Sequence, residues 1–344
     1  GFAATEVLFD EVEWADADGN TRIGSRAAVL SQSQVAIVDL TSSPPALSVV
    51  FPLTLDYDQE VDPTGAALTA DGQYLVIGTV NTADLYVLDL EDENINMVSL
   101  DDTPSDLVID ATADQTAIVY ADEPRVDVMD HDVFDVISIE LDEPCNKIVD
   151  TDAGFSVLYN DVAGTHDVYR LDYATNDAIE YVLQNPVSSL TVTKSNEYAV
   201  ALLEPEPGAN SSGLAAEYDN NWGLSILDLL DDRSVDFALE AEPIGLEFAG
   251  GEQESDFALL LLDGVESVLQ IDLLTTAVSS VDLPEAPTGL GSTPSGRFFI
   301  THDSPLGLVS FLDPETGKIE TVSGFAVAGL FTDDTLVRTG EDAE

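Results

Sequence analysis

The stretch GAALTADGQYLVIGTVNTADLYVLDLEDENINMVSL, Gly65 to Leu100, reads as four short β segments. GAALTADG stops at an Asp-Gly turn, QYLVIGTV and ADLYVLDL follow as second and third strands, and NINMVSL after the turn residues EDEN is the fourth. The third segment ends in aspartate, and that ending recurs along the chain. VAIVD at Asp39, LYVLD at Asp89, VDVMD at Asp130, VYRLD at Asp172, LSILD at Asp228, VLQID at Asp272 and VSFLD at Asp313 share it. A period of roughly 40 to 50 residues holding only short strands is the signature of a β-propeller. The fold class expected is all-β, a seven-bladed β-propeller of four-stranded antiparallel blades.

A second marker keeps step with the first. Pro63, Pro104, Pro144, Pro186, Pro243 and Pro287 each precede an opening strand, 26, 26, 28, 42, 29 and 26 residues before the next terminal aspartate. Proline suits that position, which needs no ladder donor and gains from a fixed φ. The aspartates suit theirs, where a carboxylate accepts a backbone N–H two residues on and nucleates the turn to the outer strand. The spacing of 42 places an insertion in the fifth unit, at residues 204–221.

The first unit has RAAVL and VAIVDL as middle strands and PALSVVFPLTL as the outer one, but no opening strand. FAVAGLF, Phe325 to Phe331, is the spare, so the first blade is expected to be closed by the C-terminal strand. The expected division is therefore a lead-in segment or hairpin at 1–25, the propeller at 26–333 and an acidic tail at 334–344.

TPSGRFFITHDSPLGLVSFLDPETGKIETVSG, from Thr293, and ALTADGQYLVIGTVNTADLYVLDL, from Ala67, resemble the YVTN-type repeat of seven-bladed propellers. Surface-layer, lactonase-like and cytochrome-like propellers share that superfamily, so the resemblance implies the architecture and leaves the activity open. Several repeats depart from it at the Asp-Gly turn, with Ala-Asp-Gln at Ala113 and Lys-Ser-Asn at Lys194.

Sixty-seven acidic against 10 basic residues give a net charge of −57 over 344 residues, while a hydrophobic fraction of 44% supplies a core. A field of that sign opposes nucleic acid and anionic membrane surfaces. It is best tolerated where salt screens it, which points to a saline setting, extracellular, at a cell surface or periplasmic, although a salt-accumulating cytoplasm imposes the same composition. Cys145 is alone, so no intrachain disulfide is available and a buried thiol is expected. No apolar run is long enough to span a bilayer, and the start at Gly1 reads as a processed terminus.

Candidate chemistry is sparse. His131 follows a third-strand aspartate, His166 precedes a third strand, and His302, the best placed beside Asp303, ends a second strand. DADGN at Asp16, Asp18 and Asn20 alternates side-chain oxygens beside a glycine, the local pattern of a calcium loop, and equally that of a hairpin turn between EVLFDEVEW and TRIGS. In the insertion EPEPGANSSGLAAEYDNNW, Tyr218, Asn220 and Trp222 are the candidate contact residues, and Asn210 opens an Asn-Ser-Ser acceptor pattern. No cofactor is expected, calcium being the one candidate.

These readings favour a non-catalytic, exported propeller that binds or assembles with a protein partner. The alternatives are a metal-dependent lactonase-like hydrolase with His302 and acidic residues facing the axial channel, and a calcium-stabilised adhesive propeller.

Overall fold

The computed structural model describes residues 6–15, 21–31, 33–53, 63–69, 72–79, 82–110, 114–131, 133–151, 153–162, 164–208, 216–250, 256–324, 330–332 and 335–337. Among them the regular structure is β except for a short 3-10 turn, in seven four-stranded antiparallel sheets that follow one another along the chain and a final two-stranded pair. This is the fold of a seven-bladed β-propeller. The blades span 6–52, 63–99, 106–140, 147–182, 187–239, 243–282 and 287–322, and within each the strand order follows the sequence. Blades one to four lie in one compact unit, Gly1–Val182, and blades five to seven in a second, Leu183–Glu344.

The apolar runs of the middle strands follow from their being covered on both faces. In Tyr74–Thr79, Leu75 and Ile77 join the core shared with blade one, while Val76 joins the core shared with blade three. Phe257–Leu262 divides in the same way: Ala258, Leu260 and Leu262 pack toward blade five, Leu259 and Leu261 toward blade seven. Outer strands give few side chains to the cores and are correspondingly exposed, as in Asn94–Ser99 and Lys318–Val322.

All seven terminal aspartates act as turn formers. Asp39 accepts the Thr41 N–H at 2.7 Å, Asp89 that of Glu91 at 2.9 Å, and Asp172 that of Ala174 at 2.9 Å. Asp130, Asp228, Asp272 and Asp313 accept from the third residue on, at 3.0 to 3.2 Å. Four residues after the aspartate the chain turns left-handed, at Glu93, Phe134, Asn176, Asp232, Thr276 and Gly317. The turn between first and second strands is likewise kept without its glycine: Asp114 and Asn196 take the positive φ that Gly72, Gly154 and Gly296 take in other blades.

One expectation is corrected. The C-terminal strand does not close the first blade, because Glu6–Ala15 is that blade's opening strand, paired residue for residue with Thr21–Leu30. Arg26–Leu30 then pairs with Val35–Asp39, so the strand RAAVL has its partner from the segment just before it. A local hairpin closes a far shorter loop than a pairing across the whole chain. Leu330–Thr332 instead pairs with Thr335–Val337 and runs beside Pro287–Ser292, the opening strand of blade seven.

Candidate functional site

Blade register decides what the histidines do. With the terminal aspartate as origin, Thr116, Ser156, Ala199, Ala258 and Phe298 each pair with the residue just before it. Tyr120, Asn160, Leu203, Leu262 and His302, four residues on, are therefore equivalent. Tyr120 donates its hydroxyl to Asp127 at 2.6 Å, and His302 Nε2 meets Ser310 Oγ at 2.8 Å. Asp127 and Ser310 stand three residues before Asp130 and Asp313, so both bonds are one blade-internal latch in two chemistries.

His302 is buried, its Nδ1 bonds the Glu285 carbonyl at 2.9 Å, and Ser310 passes the chain on to Thr321 at 2.8 Å. A lactonase-like role asks this ring to meet substrate or metal; here both nitrogens are engaged inside the blade. A second latch joins the start of the second strand to the residue after the terminal aspartate. Thr116 meets His131 at 2.8 Å, and Ser156 meets Tyr173 at 2.8 Å in the equivalent place.

Blade four gathers acidic groups around a buried tyrosine. Tyr169 accepts the N–H groups of Asp142 and Glu143 at 3.1 and 2.9 Å and donates to Asp167 at 3.1 Å. The His166 N–H donates to Glu143 at 2.8 Å. Burial, then the Glu143 charge, push Asp167 above the usual carboxylate range, and burial, then the Asp167 charge, do the same to Glu180. Cys145 is fully buried, and burial followed by Asp167 and Glu143 pushes its thiol up, the opposite of what a nucleophile needs. Among the described residues no group of His, Cys, Asp and Glu is arranged to hold a metal.

The blade-five loop is built differently. It leaves Tyr198–Leu203 and returns at Trp222–Asp228. Its return leg is clamped at the base, because the fully buried Asn185 donates to the carbonyls of Tyr218 at 3.1 Å and Asn221 at 2.8 Å. Tyr218 is buried and donates to the Asp236 carbonyl at 2.8 Å, and Trp222 packs against the core of blades five and six. Asn220 adopts a positive φ and donates its N–H to the Glu206 carbonyl. These three anchor the loop rather than forming one exposed patch. Asp16, Asp18, Asn20 and Asn210 lie outside the described residues.

Asn185 is the residue sequence reasoning missed. The signal was available, since it precedes its marker proline where blades two, four and six carry Asp62, Glu143 and Glu242. An amide can donate to two carbonyls where a carboxylate repels them.

No protein-family model matches the chain, and no curated protein matches it in sequence. Among solved structures it is similar to hydrazine synthase of Kuenenia stuttgartiensis, with 13% identity, TM-score 0.45, and 94% of this chain and 97% of that one covered. The Cps50 (Swd1) β-propeller domain of Myceliophteria thermophila gives 12% identity, TM-score 0.40, and 94% and 100% coverage. Dihydro-heme d1 dehydrogenase NirN gives 11%, 0.42, and 85% and 71%. Likeness this distant lends the chain no function.

Proposed function

We propose that the chain is a protein-binding or assembly module of YVTN type, exported to a saline exterior, with the blade-five loop as its recognition element. The observation that carries the proposal is the clamp. Hydrogen bonds from Asn185 to the Tyr218 and Asn221 carbonyls, and from Tyr218 to the Asp236 carbonyl, fix the return leg of an 18-residue excursion, 204–221. A loop pre-ordered at its base loses less freedom on meeting a partner. The repeats at Ala67 and Thr293 support the YVTN lineage, and the charge of −57 supports the setting.

The test replaces residues 207–217 with a Gly-Ser linker of equal length. Cross-linking of the native protein in an extract of its source is expected to concentrate partner links on the loop, and the replaced variant to fold normally and lose them. An unchanged set of partners would sink the proposal. Melting temperature should also climb with added NaCl as screening shortens to about 8–10 Å near physiological strength; a flat response counts against the saline setting.

A further inference from the structure

Outer strands end their sheets, and an unprotected sheet edge is a template for another strand. Five of the seven outer strands carry charge: Glu140 in blade three, Asp177 and Glu180 in blade four, Arg233 and Asp236 in blade five, Asp282 in blade six, Lys318 and Glu320 in blade seven. The outer strand of blade one, Ala46–Pro52, is uncharged but ends in proline and is kinked by a register shift opposite Ile37 and Val38. Blade two has none of these defences. Asn94–Ser99, NINMVS, has no charge and no proline, and pairs with Asp84–Asp89 in unbroken register. Ile95 and Met97 are 36% and 58% exposed, two residues apart on one face of the strand.

The ends of this edge are as acidic as its middle is neutral. Glu91, Asp92 and Glu93 stand exposed before it, and Asp101 and Asp102 after it. We propose that Asn94–Ser99 is a docking edge for an extended segment of a partner protein, apolar at alternate positions and flanked on both sides by lysine or arginine. Backbone pairing supplies the strand addition, Ile95 and Met97 the apolar contact, and the flanking carboxylates the choice of partner. A second copy of this chain is disfavoured, since it brings its own net charge of −57 and the same acidic flanks to the contact.

The edge belongs to blade two and the loop to blade five, and the experiment tells their effects apart. The probe is the acetylated, amidated peptide KKVTVTVKK, followed by fluorescence anisotropy and by hydrogen–deuterium exchange of the whole chain. Expected are saturable binding, slower exchange confined to residues 94–99, and binding weakened by roughly tenfold or more when the flanks are changed to give EEVTVTVEE. KKVPGPVKK, equal in charge but unable to pair as a strand, should bind no better than that acidic control. The double variant Ile95→Lys and Met97→Lys should lose binding and keep its melting temperature, while the loop-replaced variant should bind as the native chain does. Protection spread over the acidic surface, equal binding of the proline peptide, or no binding at all would overturn the proposal. If the double variant failed to fold, the exchange map on the native chain still decides between these outcomes.

Discussion

Blades three and seven and blades five and six solve the same packing problem with different chemistry. At the end of the second strand the first pair have Tyr120 and His302, each hydrogen-bonded to the polar side chain three residues before the terminal aspartate. The second pair have Leu203 and Leu262, both buried. The comparison teaches that the polar side chain at this position in blades three and seven is matched by a polar partner in its own blade. Where one partner is apolar, as Leu269 is in blade six opposite Leu262's strand, no polar group is needed. His302 is one of several side chains that fill this position of a blade.

The comparison breaks most sharply in blade three. Asp127 accepts from Tyr120, lies 3.5 Å from the Arg125 guanidinium, and that guanidinium stacks 4.5 Å from the Tyr120 ring centroid. Asp127→Ala removes the carboxylate that the cation and the phenol share and leaves both largely buried, with an expected loss of about 3–5 kcal/mol in urea unfolding. Leu262→His should cost about 2–3 kcal/mol, because Leu269 offers the ring nothing where Ser310 serves His302. The reverse change, His302→Leu, should cost only about 1–2 kcal/mol, since Ser310 keeps Thr321 and only the Glu285 carbonyl loses its donor. If the two substitutions cost the same, the paired-position account fails.

Smaller still is the turn after the terminal aspartate. Blade seven places Gly317 in the left-handed conformation, and blade six holds the β-branched Thr276 there at φ 52°. Thr276→Gly should therefore stabilise, by up to about 1 kcal/mol, in contrast to glycine substitution in ordinary backbone. A loss of stability would show that the threonine hydroxyl, which donates to the Thr275 carbonyl at 2.8 Å, matters more than its backbone strain.

The blade count, the turn role of the seven aspartates and the place of the blade-five excursion were legible because each rests on local rules: period-two burial, Asx turns, and proline where no donor is needed. The opening strand of blade one was not. EVLFDEVEW mixes carboxylates into its alternation, so it reads as a detached hairpin, and FAVAGLF looks the better strand by hydrophobicity alone. Pairing with Thr21–Leu30 over ten residues outweighs that difference. The latches were invisible for another reason. Tyr120 with Asp127, and His302 with Ser310, become equivalent only once strand register is known, because loop lengths of different blades shift them relative to any linear motif. The anchoring use of Tyr218 was hidden likewise, its partner Asp236 lying two strands on, in Arg233–Leu239.

Blade four offers the last and smallest test, a comparison of one blade with itself at two pH values. Asp167 has its folded-state pKa raised, first by burial and then by Glu143. A carboxyl whose pKa is higher folded than unfolded binds its proton more tightly in the native state, so it contributes stability below the unfolded value of about 3.9. That contribution is lost as pH rises through the folded value, and at neutral pH the ionised group is a net cost. Asp167→Asn keeps an acceptor for the Tyr169 hydroxyl and removes the charge beside Glu143 and Glu180. Its melting temperature should lie slightly above that of the native chain at neutral pH, with the gap closing as pH falls toward about 4. Asp313 has the opposite shift, lowered by its bonds to the Thr316 backbone, so Asp313→Asn should be the less stable partner at neutral pH and converge from below in acid. Two aspartates in equally regular blades would then move in opposite directions under one titration, because one is buried beside other carboxylates and the other is held by backbone donors.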